Sequence, residues 1–341
     1  MLFTERVLSN IDFVLLWVDG NDPEWQKDRE RFSGENGDNR NIRFRDWQNL
    51  KYIFRAFEKF TPWVRKIHFV SYGHLPTWLN REHPKINIVN HQDYIDKEYL
   101  PVFNANPLEI SMHKIRDLSE QFVYFNDDTF IIKAVKEERF FKWGLPRDVA
   151  VSNALSSSIG VGHFVLNAVE ILNRHFSKHQ AIKENLPKWF SLLYGKEMIR
   201  NAALLPWPRF TGFVDPHMPQ PFLKSTFKEV WDLERDRLEK TMRSRFRDCE
   251  DVNQYLFRYW QLAKGNFIPV SMKDTKYLTL TPEGIERGEL EEALLSGRYR
   301  MVCLNDSEAI GEEESFEWAK KRVIEIFDKL LPEPSSFEVD Q

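Results

Sequence analysis

Six short segments of the sequence gather side chains that could do chemistry. Asn126-Asp127-Asp128 follows the aromatic run Phe122 to Phe125. Adjacent carboxylates at a strand end can hold a divalent cation, which offsets the charge of a nucleotide diphosphate. The same tripeptide reads equally as an Asx turn capping the next segment. Trp17 to Pro23 (WVDGNDP) is a strand end with the short polar side chains Asp19, Asn21 and Asp22. It could grip a ribose or a base, although taken alone a plain turn is the simpler account. Asn41 to Asp46 (NIRFRD) puts Arg43 and Arg45 on alternate positions, so an extended backbone points both to one face. Guanidinium groups make bidentate contacts with phosphate; solvated surface arginines are the ordinary alternative.

Leu100 to His113 (LPVFNANPLEISMH) holds Asn104, Asn106, Glu109 and His113. On a helix begun near Pro107, Glu109 and His113 fall at i and i+4 and share a face, where they could act on an acceptor hydroxyl or pair with each other. No H-E-x-x-H pattern or third ligand makes them a zinc site. In Asp215 to Pro219 (DPHMP) two prolines bracket His217 and restrict its backbone. An imidazole so presented suits general base work, although most lone histidines are structural. Met242 to Asp251 (MRSRFRDCED) clusters Arg243, Arg245 and Arg247 before a helix, either as a phosphate clamp or as a solvated charged face.

The elements that must position these residues are legible as periodicities. Ile11 to Val18 (IDFVLLWV) is a buried strand that delivers Asp19 to the loop beyond it. Apolar positions at three-and-four spacing predict an amphipathic helix over Trp47–Phe60 with Asp46 as N-cap. Strands follow at Lys66–Tyr72, Ile86–Val89 and Phe122–Phe125, with a helical turn at Pro76–Asn80. The polar stretch Ser33–Asn41 reads as a mobile loop. Strands alternating with helices predict an α/β fold, a Rossmann-like, mainly parallel sheet whose ligands gather at the carboxyl ends of the strands. Beyond Lys133 the texture is helical to about Trp207. Helices are expected near Phe222–Glu234 and Asp251–Ala263, a strand at Tyr299–Leu304, a helix at Phe316–Leu331 and a loose tail after Pro332. The division is residues 1–133 as the first part of a catalytic core, 134–210 as a mainly helical insertion, 211–331 as the remainder of the core with C-terminal helices, and 332–341 as a tail.

With 48 Lys plus Arg against 52 Asp plus Glu, the net charge of −4 over 341 residues gives no case for a dedicated nucleic-acid binder. Two cysteines allow at most one bridge, which points to a reducing compartment. Met1 to Asn10 lacks the apolar centre of a signal peptide, and the uncharged run Val149 to Val169 is too polar to span a bilayer. Cytoplasmic residence is therefore expected. The 27 Phe, 11 Trp and 10 Tyr suit either an aromatic core or a carbohydrate platform.

Taken in order, FVLLWVDGNDP, NIRFRDWQNLKYIFRAFEKFTPWVRKIHFVSYGHLPTWLN, LPVFNANPLEISMHKIRDLSEQFVYFNDDTFI, DPHMPQPFLKSTFKEVWD and RFRDCEDVN resemble the Stealth family of sugar-phosphate transferases. The resemblance covers most of Ile11 to Ala263. It implies transfer of a hexose-1-phosphate, GlcNAc-1-phosphate or a similar group, from a UDP-sugar to a glycan hydroxyl with Mg²⁺ or Mn²⁺, releasing UMP. It implies an active site of Asp19, Arg43, Asp46, Glu109, His113, Asn126, Asp127, Asp128, His217 and Arg247, with Asn21 and Asn104 as further substrate contacts. In that assignment His217 is the base, Asp127 and Asp128 hold the metal, and Arg43 and Arg247 contact phosphate. A lipid-linked acceptor would be met at the inner face of the membrane. The rival readings are a metal-dependent glycosyltransferase that releases UDP and a non-catalytic sugar-binding protein. Where bacterial relatives carry Asn-Ser-His-Ala-Ile-Glu-Ser, this chain has Asn104 to Ile110 as NANPLEI, a difference that bears on the acceptor.

Overall fold

The computed structural model describes residues 10–32, 34, 44–155, 162–311 and 313–339. Residues 1–9, most of the Ser33–Asn41 loop and Arg43 lie outside the described residues. The strands are β1 (Ile11–Leu16), β2 (Ile67–Ser71), β3 (Ile86–Asn90), β4 (Gln121–Phe125), β5 (Thr129–Ile131), β6 (Phe141–Lys142), β7 (Leu145–Asp148), β8 (Gln220–Leu223), β9 (Ile268–Pro269), β10 (Thr275–Thr279) and β11 (Met301–Asn305). The helices are α1 (Pro23–Arg31), α2 (Leu50–Phe60), α3 (Ala105–Ile110), α4 (Gly162–His175), α5 (Lys178–Glu184), α6 (Leu186–Trp189), α7 (Met198–Leu204), α8 (Lys224–Met242), α9 (Tyr255–Lys264), α10 (Pro282–Glu286), α11 (Glu289–Leu295) and α12 (Glu313–Leu330).

The main sheet has the order β3-β2-β1-β4-β8. Its first four strands are parallel and β8 is antiparallel to β4. Every residue of β1 is buried, as a strand covered on both faces requires. Successive side chains point to opposite faces, so Val14 and Leu16 join one core with residues of α4, α8 and α9, and Phe13 and Leu15 join a second with residues of α2 and α12. Asp12 sits fully buried within this apolar strand. Its carboxylate accepts from Arg65 Nε at 2.8 Å and from the Ser119 amide at 2.8 Å, with His68 Nε2 3.0 Å away. The strand order reverses between β1 and β4, which marks a topological switch point.

Several boundaries differ from the sequence reading. The second helix starts at Leu50, not after Asp46, because Gln48 takes a left-handed conformation (φ 53°) and its amide donates to Asp46 Oδ1 at 2.8 Å. Asp46 thus closes an Asx turn instead of capping the helix. The segment Pro76–Asn80 forms a turn rather than a helix. Helix α3 stops at Ile110 and a 3₁₀ turn, Met112–Lys114, follows, so Glu109 and His113 do not share a face. Phe222 belongs to β8, pairing with Phe122, while α8 runs on to Met242 through a kink at Glu234. Helix α9 begins at Tyr255, not Asp251. The tail is not loose: Phe337 is buried and Glu338 forms a two-pronged ion pair with Arg55, at 2.8 and 2.7 Å. Cys249 and Cys303 are both free thiols. Among the described residues no helix is long and apolar enough to cross a membrane.

Candidate active site

Beyond the carboxyl ends of β1 and β4 lie two adjoining cavities of about 310 and 300 Å³. Both are lined by Trp17, Val18, Asp127, Asp128, Arg247 and Asn305. The loop after β1 reaches this place by a tight approach: a Cβ on Gly20 would stand 2.0 Å from the Phe44 carbonyl oxygen, so only glycine fits. Asp22 caps α1 by accepting from the Trp25 amide at 2.8 Å, and Asp19 accepts from the Asn21 amide at 2.8 Å. The plain-turn reading therefore describes what those side chains do in this structure. Neither Asp19 nor the exposed Asn21 lines the cavities.

The turn after β4 carries the acidic pair. The Thr129 amide and hydroxyl both donate to the Asn126 carbonyl, which leaves Asp127 and Asp128 at the tip. The Asn126 side chain does not cap this turn; its Oδ1 lies 2.6 Å from the Tyr124 hydroxyl, which is also 3.0 Å from Glu109 Oε1. The backbone of Asp128 is pinned to β11, with the Leu304 amide donating to its carbonyl at 2.8 Å. Although Asp127 opens to the solvent of the cleft, enclosure by the cleft walls and the neighbouring charge of Asp128 push its carboxyl up to about 7. Asp128 Oδ1 is buried with no hydrogen-bond partner. Two like charges and an orphaned oxygen suit a hard divalent cation.

His217 faces this pair from the loop before β8. Its Nε2 lies 3.3 Å from Asp128 Oδ2 and its Nδ1 3.3 Å from the Tyr255 hydroxyl. Burial disfavours the imidazolium, but the hydrogen bond and charge of Asp128 outweigh it and raise the pKa. The residue holds a left-handed φ of 49°, a strained conformation for a side chain with a Cβ. The preceding Asp215 is anchored: Arg258 Nη1 donates to it at 2.6 Å and the Tyr259 hydroxyl at 2.6 Å. Arg258 is fully buried and also grips both carboxylate oxygens of Asp148 at the end of β7. Asp128, His217 and Cys303 each place a ligand atom within 4.8 Å of the others, a group that could hold a metal ion.

Glu109 lines the larger cavity, and burial raises its pKa against the pull of the Gln254 amide, the Tyr124 hydroxyl and the charge of Arg247. Asn104 also lines it, but its amide ties α3 to the arginine segment, donating to Asp251 Oδ2 at 2.8 Å and to the Phe246 carbonyl at 3.2 Å. Asp46 and Arg45 line the smaller cavity. Of the three clustered arginines only Arg247 faces the cleft. Arg243 is exposed near Glu98, and Arg245 packs over the Phe32 ring. His113 lies elsewhere, between Phe227 and Trp231, with its pKa lowered to about 4 by burial.

Sequence reasoning missed Asn305 and Asp306, which line the smaller cavity. A signal existed, since the run of β11 leads into Asn305-Asp306 just as β4 leads into Asn126-Asp127. It also missed Tyr255 and Arg258, although a charged residue in the apolar run Tyr255–Ala263 demands a buried partner.

The family description "Stealth protein CR1, conserved region 1" matches residues 9–37, and "Stealth protein CR2, conserved region 2" matches residues 43–147. The chain is 40% identical over 336 residues to a capsular polysaccharide phosphotransferase WcwK of Streptococcus pneumoniae, covering 97% of this chain and 98% of that one. It is 36% identical to the exopolysaccharide phosphotransferase cps2G of Lactiplantibacillus plantarum (99% and 98%). It is 38% identical to the receptor polysaccharide phosphotransferase WefC of Streptococcus oralis (97% and 100%). Among solved structures, the galactosyltransferase LgtC superposes with a TM-score of 0.42 at 9% identity over 95% of this chain and 98% of that one.

Proposed function

The chain belongs to the Stealth family, and we propose that it transfers a sugar-1-phosphate from a UDP-sugar to a glycan hydroxyl in the synthesis of a capsular or cell-wall polysaccharide. The observation that carries this reading is the convergence of Asp127, Asp128, His217 and Arg247 on one cleft at the switch point of the sheet. The acidic pair, His217 and Arg247 come from three separate segments of the chain.

Phosphoryl transfer rests on positioning and charge neutralisation more than on covalent chemistry by the protein. Asp127 and Asp128 would hold Mg²⁺ or Mn²⁺, which supplies neutralisation of the donor diphosphate. Arg247 adds a guanidinium on the cleft wall, in a position to contact phosphate oxygens. Arg43 is assigned the same role on sequence grounds, and Asp46, Asn104, Glu109 and Asn126, which line the cavities, are assigned to the substrate or to ordering the site, whereas Asp19 and Asn21 shape the turn before α1. His113, removed from the cleft, acts through packing alone. His217 takes the proton of the acceptor hydroxyl. The oxygen so freed attacks the phosphorus nearest the donor sugar, the bond from that phosphorus to the bridging oxygen breaks, and UMP leaves with the electron pair. Asp128 stabilises the imidazolium that results. The sugar C1–O bond stays intact, so the product is a sugar-phosphate-sugar diester with the donor's anomeric configuration.

The acceptor falls to the wall where the insertion (134–210) and residues 211–331 supply Phe164, His217 and Tyr255. A lipid-linked acceptor would bring the enzyme to the inner face of the membrane. Incubation with UDP-GlcNAc, Mg²⁺ and a panel of glycan acceptors tests the reaction. Release of UMP supports it, release of UDP points to glycosyl transfer, and nucleotide-sugar binding without turnover points to a binding protein.

A further inference from the structure

We propose that Asp128, His217 and Cys303 form a three-donor site for Zn²⁺, with the fourth position open to the cleft, and that Zn²⁺ bound there inhibits the enzyme by occupying the imidazole of His217. The first argument is spacing. Around tetrahedral Zn²⁺, bond lengths of about 2.0–2.3 Å separate neighbouring O and N donors by about 3.3 Å and O and S donors by about 3.6 Å. An octahedral Mg²⁺ at about 2.1 Å brings neighbouring oxygens to about 2.9 Å. Asp128 Oδ2 stands 3.3 Å from His217 Nε2 and 3.5 Å from Cys303 Sγ. Both separations match edges of a tetrahedron, and the three donor atoms all lie within 4.8 Å of one another.

The second argument is the hydrogen bonding around the donors. His217 presents Nε2 to the Asp128 carboxylate while Nδ1 is held against the Tyr255 hydroxyl, so a cation can replace the proton shared between Nε2 and Asp128 without turning the ring. Metal-bound histidines characteristically donate their other ring nitrogen to a partner of this kind. Donor chemistry is the third argument: a thiolate, an imidazole and one carboxylate select Zn²⁺ over Mg²⁺. Cys303 is a buried free thiol whose Sγ lies 3.5 Å from Asp128 Oδ2. Zn²⁺ binds sulfur as thiolate, so forming the Sγ–Zn bond breaks Sγ–H and sends that proton to solvent.

Only the inhibitory half of this inference rests on the proposed reaction. The binding half is read with Co²⁺ as a spectroscopic stand-in on the full chain. A thiolate-to-cobalt absorption band with intense tetrahedral bands, reversed by added Zn²⁺, is expected in the wild type and in Cys249→Ser. Cys303→Ser should lose the thiolate band and bind Zn²⁺ on the order of 100-fold more weakly. Calorimetry of the wild type should show one Zn²⁺ bound per chain, a readout that needs no variant to fold. The absence of a thiolate band, or a band that follows Cys249, would overturn the site. Where UMP release is measurable, Zn²⁺ should inhibit the wild type at far lower concentration than Cys303→Ser. Equal inhibition of the two contradicts the inhibitory role while leaving the proposed reaction standing.

Discussion

Replacing Arg258 by methionine is the perturbation that separates the anchor of His217 from His217 itself. Arg258 is fully buried and compensates Asp148, which is buried as well, and Asp215, which burial pushes up to about 6 even with the guanidinium in place. Methionine fills most of the volume but leaves both carboxylates without a counter-charge. Breaking one side of such a network costs about 3–5 kcal/mol. An unfolding entropy of ~0.7 kcal/mol/K for a chain of this length turns that into a fall of about 4–7 °C in Tm. The strained φ at His217 lies two residues beyond Asp215, so releasing Asp215 lets the imidazole relax away from Asp128. A displacement near 1 Å costs roughly 10²-fold in turnover. Differential scanning calorimetry and UMP release per folded enzyme read the two effects separately. The double variant Asp148→Asn with Arg258→Met, which removes one stranded carboxylate, should recover part of the Tm but little of the turnover. An unchanged Tm in Arg258→Met would refute the electrostatic anchor. A lowered Tm with normal turnover would refute its link to His217.

Three further outcomes are expected. His217→Ala should keep its Tm within a few degrees, yet lose ~10²–10⁴-fold in turnover if the imidazole is the base; near-normal rates would dismiss that role. Asp12 has its folded pKa depressed, because His68 and Arg65 outweigh the burial that opposes them. Its contribution to stability is therefore complete above its unfolded pKa and disappears as pH falls through the lower folded value. Asp12→Asn should cost about 2–3 kcal/mol at neutral pH and flatten the acid limb of a denaturation profile, and an acid limb identical to wild type would contradict this. Truncation after Glu333 removes buried Phe337 and the Glu338 partner of Arg55, and should lower stability by about 3–5 kcal/mol in chemical denaturation. A truncated chain as stable as the full one would mean that the tail contributes nothing.

What could be read from the sequence follows from where the information is local. The strands β1, β2 and β4 announced themselves as apolar runs because a parallel sheet buries both faces, and their polar ends pointed to the cleft. Helix starts were less legible. Asp46, an apparent N-cap, spends its carboxylate on the Gln48 amide, and Asp251, an apparent helix start, is held by Asn104 and Asn106. Both contacts depend on turns or partners that spacing alone does not reveal. The pairing of Glu109 with His113 failed for a similar reason: one turn of 3₁₀ geometry rotates the histidine toward Trp231. The tail looked disposable because the partner of Glu338 is Arg55, 283 residues away. The acidic pair, Arg247 and His217 were singled out by residue type, but only the family resemblance raised Arg247 and His217 above their ordinary alternatives, whereas Cys303, Tyr255 and Arg258 entered only through tertiary contact.

The central claim is that phosphorus, and not the sugar alone, moves to the acceptor. A UDP-sugar carrying a radiolabel in the phosphate next to the sugar tests it in a single incubation with acceptor and Mg²⁺. The account predicts label in a diester joined to the acceptor and unlabelled UMP in solution. Label retained in released UDP would contradict it.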